Sequence, residues 1–329
     1  MNGSILQYLQ PVSAYIYQPP TLTYSVVIPL FNDAEILPIL HQRVSAVMHL
    51  LNEPYEIIYV DDGSQDNTFA VLQNVYQQDS THVKGIRLLR NFGQHPAVTA
   101  GFEQIEGKIV ITLDSDLQNP PEEIPKLLNK FAEGYDVVVG LRQIRQDSIL
   151  RTLPSKFVNW IISKSTGVML HDYGSMMRVY QREVVQLLNQ TEESAKFITA
   201  LTGWLGVKIV EVPVSHEAPA DGQSRYKIGR LIRMTIDIVT SYSLLPIQIV
   251  TATGFLMAFL GISTGLFLLA WRIIFNINVT GLSSFVALLL ILFGIQLAGL
   301  GIIGEYIGRI YIEVRKRPYY LIRTLLDRK

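Results

Sequence analysis

The chain has 329 residues, enough for one large domain or two modest ones, and its 28 basic residues balance 28 acidic ones. That balance gives no polycationic surface for nucleic acid, and the absence of cysteine excludes a disulfide framework and thiolate metal centres while fitting a reducing compartment. Residues 1–23, beginning MNGSILQYLQ, carry neither a basic n-region nor a long apolar run, so they read as an N-terminal extension and not as a signal peptide.

From residue 24 the pattern changes. Short β-rich runs at 24–30 (YSVVIPL), 55–62 (YEIIYVDD), 83–89, 108–114 and 135–140 alternate with helical patterns over 34–51, 66–79, 94–105 and 122–133. Continuous apolar strands separated by helices predict an α/β domain whose mostly parallel sheet is covered on both faces. The domain is expected to span 24–226. Residues 227–245 then place Lys227, Arg230 and Arg233 on one side of a helix and apolar residues on the other, the pattern of a helix lying in a membrane interface. Two uncharged runs follow, Gln248 to Ala270 and Leu282 to Ile303. Each is long enough to cross a hydrocarbon core of about 30 Å, so 246–304 is expected to form two transmembrane helices. Basic residues before the first run, and Arg309, Arg315, Lys316 and Arg317 after the second, predict a hairpin with both chain ends cytoplasmic and 305–329 as a cytoplasmic tail. Neither run carries an internal ionisable residue, which argues against an ion path.

The chemistry concentrates at strand ends. In ITLDSDLQNPPEEIP, residues 111–125, an apolar strand stops at Asp114 and Asp116. Two acids two residues apart in extended chain point to the same side, and their repulsion is relieved by a cation between them. Oxygen-only ligands suit Mg²⁺ or Mn²⁺, and Gln118 is placed to add an oxygen or a hydrogen bond. Pro121 suits the first turn of the following helix. In VDDGSQDNT, residues 60–68, Asp61 and Asp62 end a buried strand and are read as ligand-binding acids that accept hydrogen bonds from a base or ribose. Asp66 is read as a helix cap. Arg142, Arg145 and Arg151 follow the fifth strand, and DGQSRYK (221–227) brings Ser224, Arg225 and Lys227 near the membrane. Guanidinium groups grip phosphate through forked hydrogen bonds.

Taken together, VVIPLFNDAE, IIYVDDGSQDNT, RNFGQHPAVTAGF, ITLDSDLQNPPEEIP, GYDVVVGLRQIRQDS, HDYGSMMRVYQREVV, DGQSRYK and GEYIGRIYIEVRKRPYY run in order from about residue 24 to 320. In this order they resemble the family 2 glycosyltransferases, most of all the branch that acts on polyprenyl phosphates. The resemblance implies a GT-A fold, Rossmann-like with a mostly parallel sheet, followed by interfacial helices and a two-helix transmembrane hairpin. It implies a UDP-sugar donor and an undecaprenyl (polyprenyl) phosphate acceptor, with glucose as the first choice of sugar and 4-deoxy-4-formamido-L-arabinose or mannose as alternatives.

By the same resemblance, Asp114 and Asp116 match the family's DXD metal motif with Gln118 beside them. Pro29, Asp33, Asp61, Asp62 and Asp114 line the nucleotide sugar. Asp116, Asp172 and Arg142 are the catalytic candidates, and Arg151, Ser224 and Arg225 bind the acceptor phosphate. A bacterial inner-membrane location and a homotetramer follow from the same likeness. Ser175 stands where many relatives have Cys, and Arg225 where Lys is common. No QxxRW motif occurs, which argues against a processive polysaccharide synthase. A membrane-anchored nucleotide-sugar binder without activity is the rival reading, opposed by the intact acids.

Overall fold

The computed structural model describes residues 22–142, 175–191, 198–215, 245–275, 281–315 and 317–327. Its centre is an eight-stranded sheet in the order β7-β5-β6-β4-β1-β2-β3-β8. The strands are β1 (Leu22–Leu30), β2 (Tyr55–Asp61), β3 (Val83–Leu88), β4 (Gly107–Thr112), β5 (Val137–Arg142), β6 (Arg178–Gln181), β7 (Ile209–Val214) and β8 (Ile322–Leu326). Strands β1 to β3 pair in parallel, as do β1 with β4 and β5 with β7, whereas β6 and β8 run against their neighbours. The five strands expected from the sequence are all present. The short β6, β7 and β8 add three more.

The chain builds β1, β2 and β3 outward in one direction, then returns to lay β4 on the other side of β1. Such a reversal sets the loops after β1 and β4 side by side, each leading toward a different edge of the sheet, and a crevice lies beyond the carboxyl ends of the two strands. That crevice is where the acids end up.

Alternation along β1 explains how both faces are covered. Val26 and Ile28 pack under α1 (Leu37–Leu50), α2 (Thr68–Gln78) and α4 (Ile124–Phe131). Val27 faces the opposite layer, with α3 (Gln94–Phe102), α5 (Arg182–Gln190) and α6 (Ile198–Trp204). A strand buried on both faces needs apolar side chains at every position, which is why these strands read as unbroken hydrophobic runs. A 3₁₀ turn at Pro121–Glu123 leads into α4, so Pro121 sits in the first turn as its fixed φ favours.

Two long helices follow, α7 (Leu245–Phe275) and α8 (Leu282–Val314). Both overrun the segments expected from hydropathy. Among the described residues, Ile247–Phe267 is long and apolar enough to cross a membrane, whereas α8 offers the shorter apolar stretch Leu292–Gly308. The expectation of two full spans is thus met by one. The glycines of 261–265 and 304–308 have open space around them. Gly299 is the close point instead, since a Cβ there would lie 3.0 Å from Val250 Cγ1.

The segment expected to be a tail does not hang free. After α8 the chain returns to the central sheet, where β8 pairs antiparallel with β3 and Leu89 donates its amide to the Leu321 carbonyl (2.8 Å). The edge of β3 is thereby covered, and the far end of the apolar helices is tied to the sheet. Leu326 lies across Gly85, where a Cβ would approach Leu326 Cδ1 to 2.9 Å. Leu326→Asp should place a carboxylate against this apolar contact and cost ~1–2 kcal/mol, lowering the thermal midpoint by about 3–6 °C. Thermal unfolding of the full chain in detergent measures this.

Candidate active site

Every described acid expected at the site lies at the carboxyl end of β1, β2 or β4, in the crevice between β1 and β4 or directly beneath it. The loop after β1 begins at Phe31 and turns through Asn32, which adopts φ 57°. Asn tolerates this left-handed geometry better than most residues. The turn is held by the loop after β2: Asn32 N donates to Ser64 Oγ (2.9 Å), Asp33 N to Thr68 Oγ1 (2.8 Å), and Gln65 N to Asn32 Oδ1 (2.9 Å). Asp66 accepts from Thr68 N (3.0 Å) and from Ala34 N (3.3 Å), so it caps the start of α2 and also fastens the neighbouring loop.

Asp114 and Asp116 follow β4. Asp114 Oδ1 accepts from Gln94 Nε2 (2.6 Å) and Oδ2 from Asn119 Nδ2 (3.3 Å). Asp116 is exposed, and its Oδ1 accepts from the Gln118 amide (3.0 Å) across Leu117, whose φ is 58°. Between the two acids, Ser115 Oγ donates to Asp33 Oδ2 (2.7 Å). This bond stitches the β1 loop to the β4 loop. Asp33 therefore stands beside the acidic pair, and burial together with the charges of Asp116 and Asp66 raises its pKa above the usual carboxylate range. Bonds from Phe31 N and Ser115 oppose that rise.

Acids from two loops thus crowd one rim, with oxygen donors alone. Among the described residues no set of three or more His, Cys, Asp or Glu converges into a metal cage. The arrangement fits a hard cation held by one or two carboxylates that completes its shell with substrate oxygens, the usual style for Mg²⁺ in phosphate chemistry. Asp114 and Asp116 are the residues that would hold it. Gln118 is brought to the rim by its backbone.

Asp61 and Asp62 lie at the floor of the crevice. Asp61 is completely buried, accepts from Ser64 N (2.9 Å), and its Oδ2 faces Arg87 Nε at 3.3 Å. Asp62 is 3% exposed and accepts from Phe92 N (2.7 Å) and Gly93 N (2.8 Å). Both carboxylates sit under the crevice and shape its loops. Gly63 allows the fit, since any Cβ there would collide with the backbone of Arg90 and Asn91, at 2.3 and 2.6 Å. Pro29 is likewise buried within β1, paired with Val60.

Arg142 ends β5 in register with Val214. Two antiparallel steps, β4 to β6 and β6 to β5, restore the strand direction. Arg142 thus lies at the same end of the sheet as Asp114, two strands or about 10 Å across. Asp172, Arg151, Ser224, Arg225 and the expected interfacial helix at 227–245 lie outside the described residues, except for Leu245 at the start of α7. The sequence reading missed Gln94, Ser115 and Asn119 as partners of the acids. Gln94 and Asn119 stand within motifs already singled out, but amides give no signal as distinctive as paired acids.

With this geometry in view, comparison with known proteins is direct. Residues 25–188 match the model of "Glycosyl transferase family 2". The chain is 42% identical over 304 residues to the undecaprenyl-phosphate 4-deoxy-4-formamido-L-arabinose transferase of Shewanella sediminis (strain HAW-EB3), covering 92% of each. It is 43% identical over 304 residues to the protein of that name from Pseudomonas aeruginosa (strain LESB58), covering 92% of this chain and 90% of that one.

The chain belongs to glycosyl transferase family 2.

A solved structure of glucosyl-3-phosphoglycerate synthase from Mycobacterium tuberculosis, with Mn²⁺, UDP and glucosyl-3-phosphoglycerate, is also similar, with TM-score 0.49 and 19% identity over 68% of this chain and 80% of that one. As a member of the family the protein is a glycosyltransferase of GT-A type, and its mostly parallel sheet agrees with that architecture.

Burial, with Asp61 alongside, pushes the Asp62 carboxyl up to about 6 against the pull of two amide bonds. An unfolded Asp titrates near 3.9, so the folded chain binds the extra proton first. This group's penalty is therefore full above pH ~6 and disappears as pH falls toward ~4. Wild-type protein should gain on the order of 2 kcal/mol relative to Asp62→Asn across that window. Denaturant unfolding of both proteins at pH 7, 6, 5 and 4 measures the difference.

Proposed function

We propose that this glycosyltransferase moves a sugar from a UDP-sugar to a polyprenyl phosphate of undecaprenyl type, at the cytoplasmic face of a bacterial inner membrane. The observation that carries this reading is the pair Asp114 and Asp116 beside Asp33, at the strand-reversal crevice of a chain that also carries long apolar helices. The sugar is 4-deoxy-4-formamido-L-arabinose. Glucose, the first choice from the sequence, is replaced because relatives at 41–43% identity over more than nine-tenths of the chain carry the formamido-arabinose name.

The reaction displaces a nucleoside diphosphate from an anomeric carbon. A divalent cation, Mg²⁺ or Mn²⁺, supplies Lewis-acid neutralisation of the charge that grows on the leaving diphosphate. The chain's own residues do the rest. Asp114 and Asp116 present the oxygens that hold the diphosphate end of the donor through the cation. Ser115, by its bond to Asp33, keeps those two loops in one register. Arg142, from the same end of the sheet, steadies diphosphate charge. The nucleophile is a phosphate oxygen of the lipid, already largely dianionic near neutrality with a second pKa of about 6, so the protein must position it more than deprotonate it. Asp172 is assigned to that positioning, and Arg151, Ser224 and Arg225 to the acceptor phosphate. Direct attack inverts the anomeric centre.

The apolar helices explain how such an acceptor is reached. The span of α7, Ile247–Phe267, covers about 32 Å at 1.5 Å per residue, matching a hydrocarbon core of about 30 Å. Its apolar side chains face outward, with Phe255 75% exposed. Beyond it Phe267, Trp271 and Phe275 form a ladder with ring centroids 5.6 and 4.5 Å apart, where an aromatic belt would meet the far interface. We read α7 and α8 as the membrane hairpin, with 227–245 as the interfacial helix, both termini cytoplasmic and a homotetramer as the working assembly.

The test uses membranes containing the full chain, undecaprenyl phosphate and a panel of labelled donors. UDP-4-deoxy-4-formamido-L-arabinose should label the lipid at least tenfold faster than UDP-glucose or GDP-mannose, and Asp114→Ala with Asp116→Ala should lower the rate about 10³-fold. Equal or faster labelling from glucose would overturn the sugar assignment. No lipid label from any donor would overturn the reaction itself.

A further inference from the structure

We propose that Gln94 is a positioning residue for Asp114, and that Asp62 acts on the site through it. The inference rests on reading 114 and 116 as the cation-binding pair. It concerns residues that neither touch that cation nor follow from the paired acids.

Asp114 lies just past the end of β4, where nothing in the strand ladder fixes the rotation of its carboxylate. Gln94 Nε2 does so, at 2.6 Å from Oδ1, while Asn119 Nδ2 lies 3.3 Å from Oδ2. A carboxylate offers about four lone-pair sites, so an amide donor on each oxygen sets its plane without exhausting its capacity. The donor's chemistry matters as much as its position. A lysine or arginine would orient the acid equally well but would cancel its charge and compete with a cation. A neutral amide orients Asp114 without adding a positive charge of its own. Outer partners of this kind orient the groups that bind a metal and tune their affinity.

Gln94 is itself held from below. It is the first residue of α3, and it follows Gly93, whose φ of 108° is open to glycine and strained for other residues. The amides of Phe92 and Gly93 both donate to Asp62, at 2.7 and 2.8 Å. Asp62 is anchored in turn by its own amide, which donates to the Leu30 carbonyl at 2.9 Å. A continuous line therefore runs from the end of β1 through Asp62 and the 92–93 turn to Gln94 and Asp114. Asp62, buried at the floor of the crevice, lies directly under the turn that aims Gln94.

The experiment measures Mn²⁺ binding to the full chain in detergent with UDP present, by electron paramagnetic resonance, alongside thermal midpoints. Gln94→Leu removes the donor at an exposed position. It should raise the Mn²⁺ dissociation constant about tenfold while leaving the thermal midpoint within a degree or two. Gln94→Lys keeps a donor but adds a charge, and it should not restore affinity. Asp62→Asn should weaken Mn²⁺ binding too, and combining it with Gln94→Leu should add little, since both act through one bond.

Wild-type affinity in Gln94→Leu, full affinity in Gln94→Lys, or fully additive losses in the double variant would each overturn the inference. Asp114→Ala separates this from the underlying reading. If Asp114→Ala abolishes Mn²⁺ binding and Gln94→Leu leaves it intact, the positioning role alone fails. If Asp114→Ala binds Mn²⁺ normally, the cation-binding reading fails with it.

Discussion

The structure depends on one constraint: β1 and β4 lie side by side and parallel, so their two loops must share the crevice beyond their ends. Each loop brings acid. Without an attractive contact, the crowding of Asp33, Asp114 and Asp116 would push the loops apart. The bond from Ser115 to Asp33 is the local answer, while burial first, and the charges of Asp116 and Asp66 after it, raise the Asp33 pKa. A divalent cation held among these oxygens would relieve that repulsion.

The surrounding fold keeps the rim stiff at places far from the chemistry. The loop after β2 fastens the β1 turn through Ser64, Thr68 and Asp66. Asp61 anchors that same loop by accepting from Ser64 and pairing with Arg87 on β3. Lower in the sheet, buried Glu56 accepts from Ser25 (2.5 Å) and Glu106 N (2.6 Å) and pairs with Lys84 (2.9 Å), tying β1, β2, β3 and the approach to β4 together. A buried acid is costly unless it is paired and hydrogen-bonded, and Asp61 and Glu56 each have both an ion pair and a hydrogen bond. The return of the chain as β8 extends the same logic to the membrane side, because movement of the apolar helices is transmitted to the edge of β3.

Much of this was legible in the sequence because the physics there is local. Strands such as 24–30 are buried on both faces and so are written as unbroken apolar runs. The Asp-Ser-Asp spacing puts two charges on one side whatever surrounds them, and Pro121 announces a helix start by its own ring. What escaped was non-local. Asp61 and Asp62 are conspicuous as adjacent carboxylates at a strand end, but the sequence does not show that Arg87, Phe92 and Gly93, 26 to 31 residues further along, are their partners. IRTLL, at 322–326, has a charge and a hydroxyl among its apolar residues, so it resembles a tail until an exposed edge of β3 is there to receive it. Gln94 and Asn119 gave no sign of their task, since their importance comes only from the atom they reach.

The central claim is that the crevice beyond β1 and β4 seats a divalent cation on Asp114 and Asp116. The most direct measurement is anomalous scattering from crystals of the full chain grown with Mn²⁺ and UDP. The account predicts a manganese peak about 2.1 Å from carboxylate oxygens of that pair, with the UDP diphosphate completing the shell. A manganese peak elsewhere, or a diphosphate bound in the crevice with no metal beside either aspartate, would contradict it.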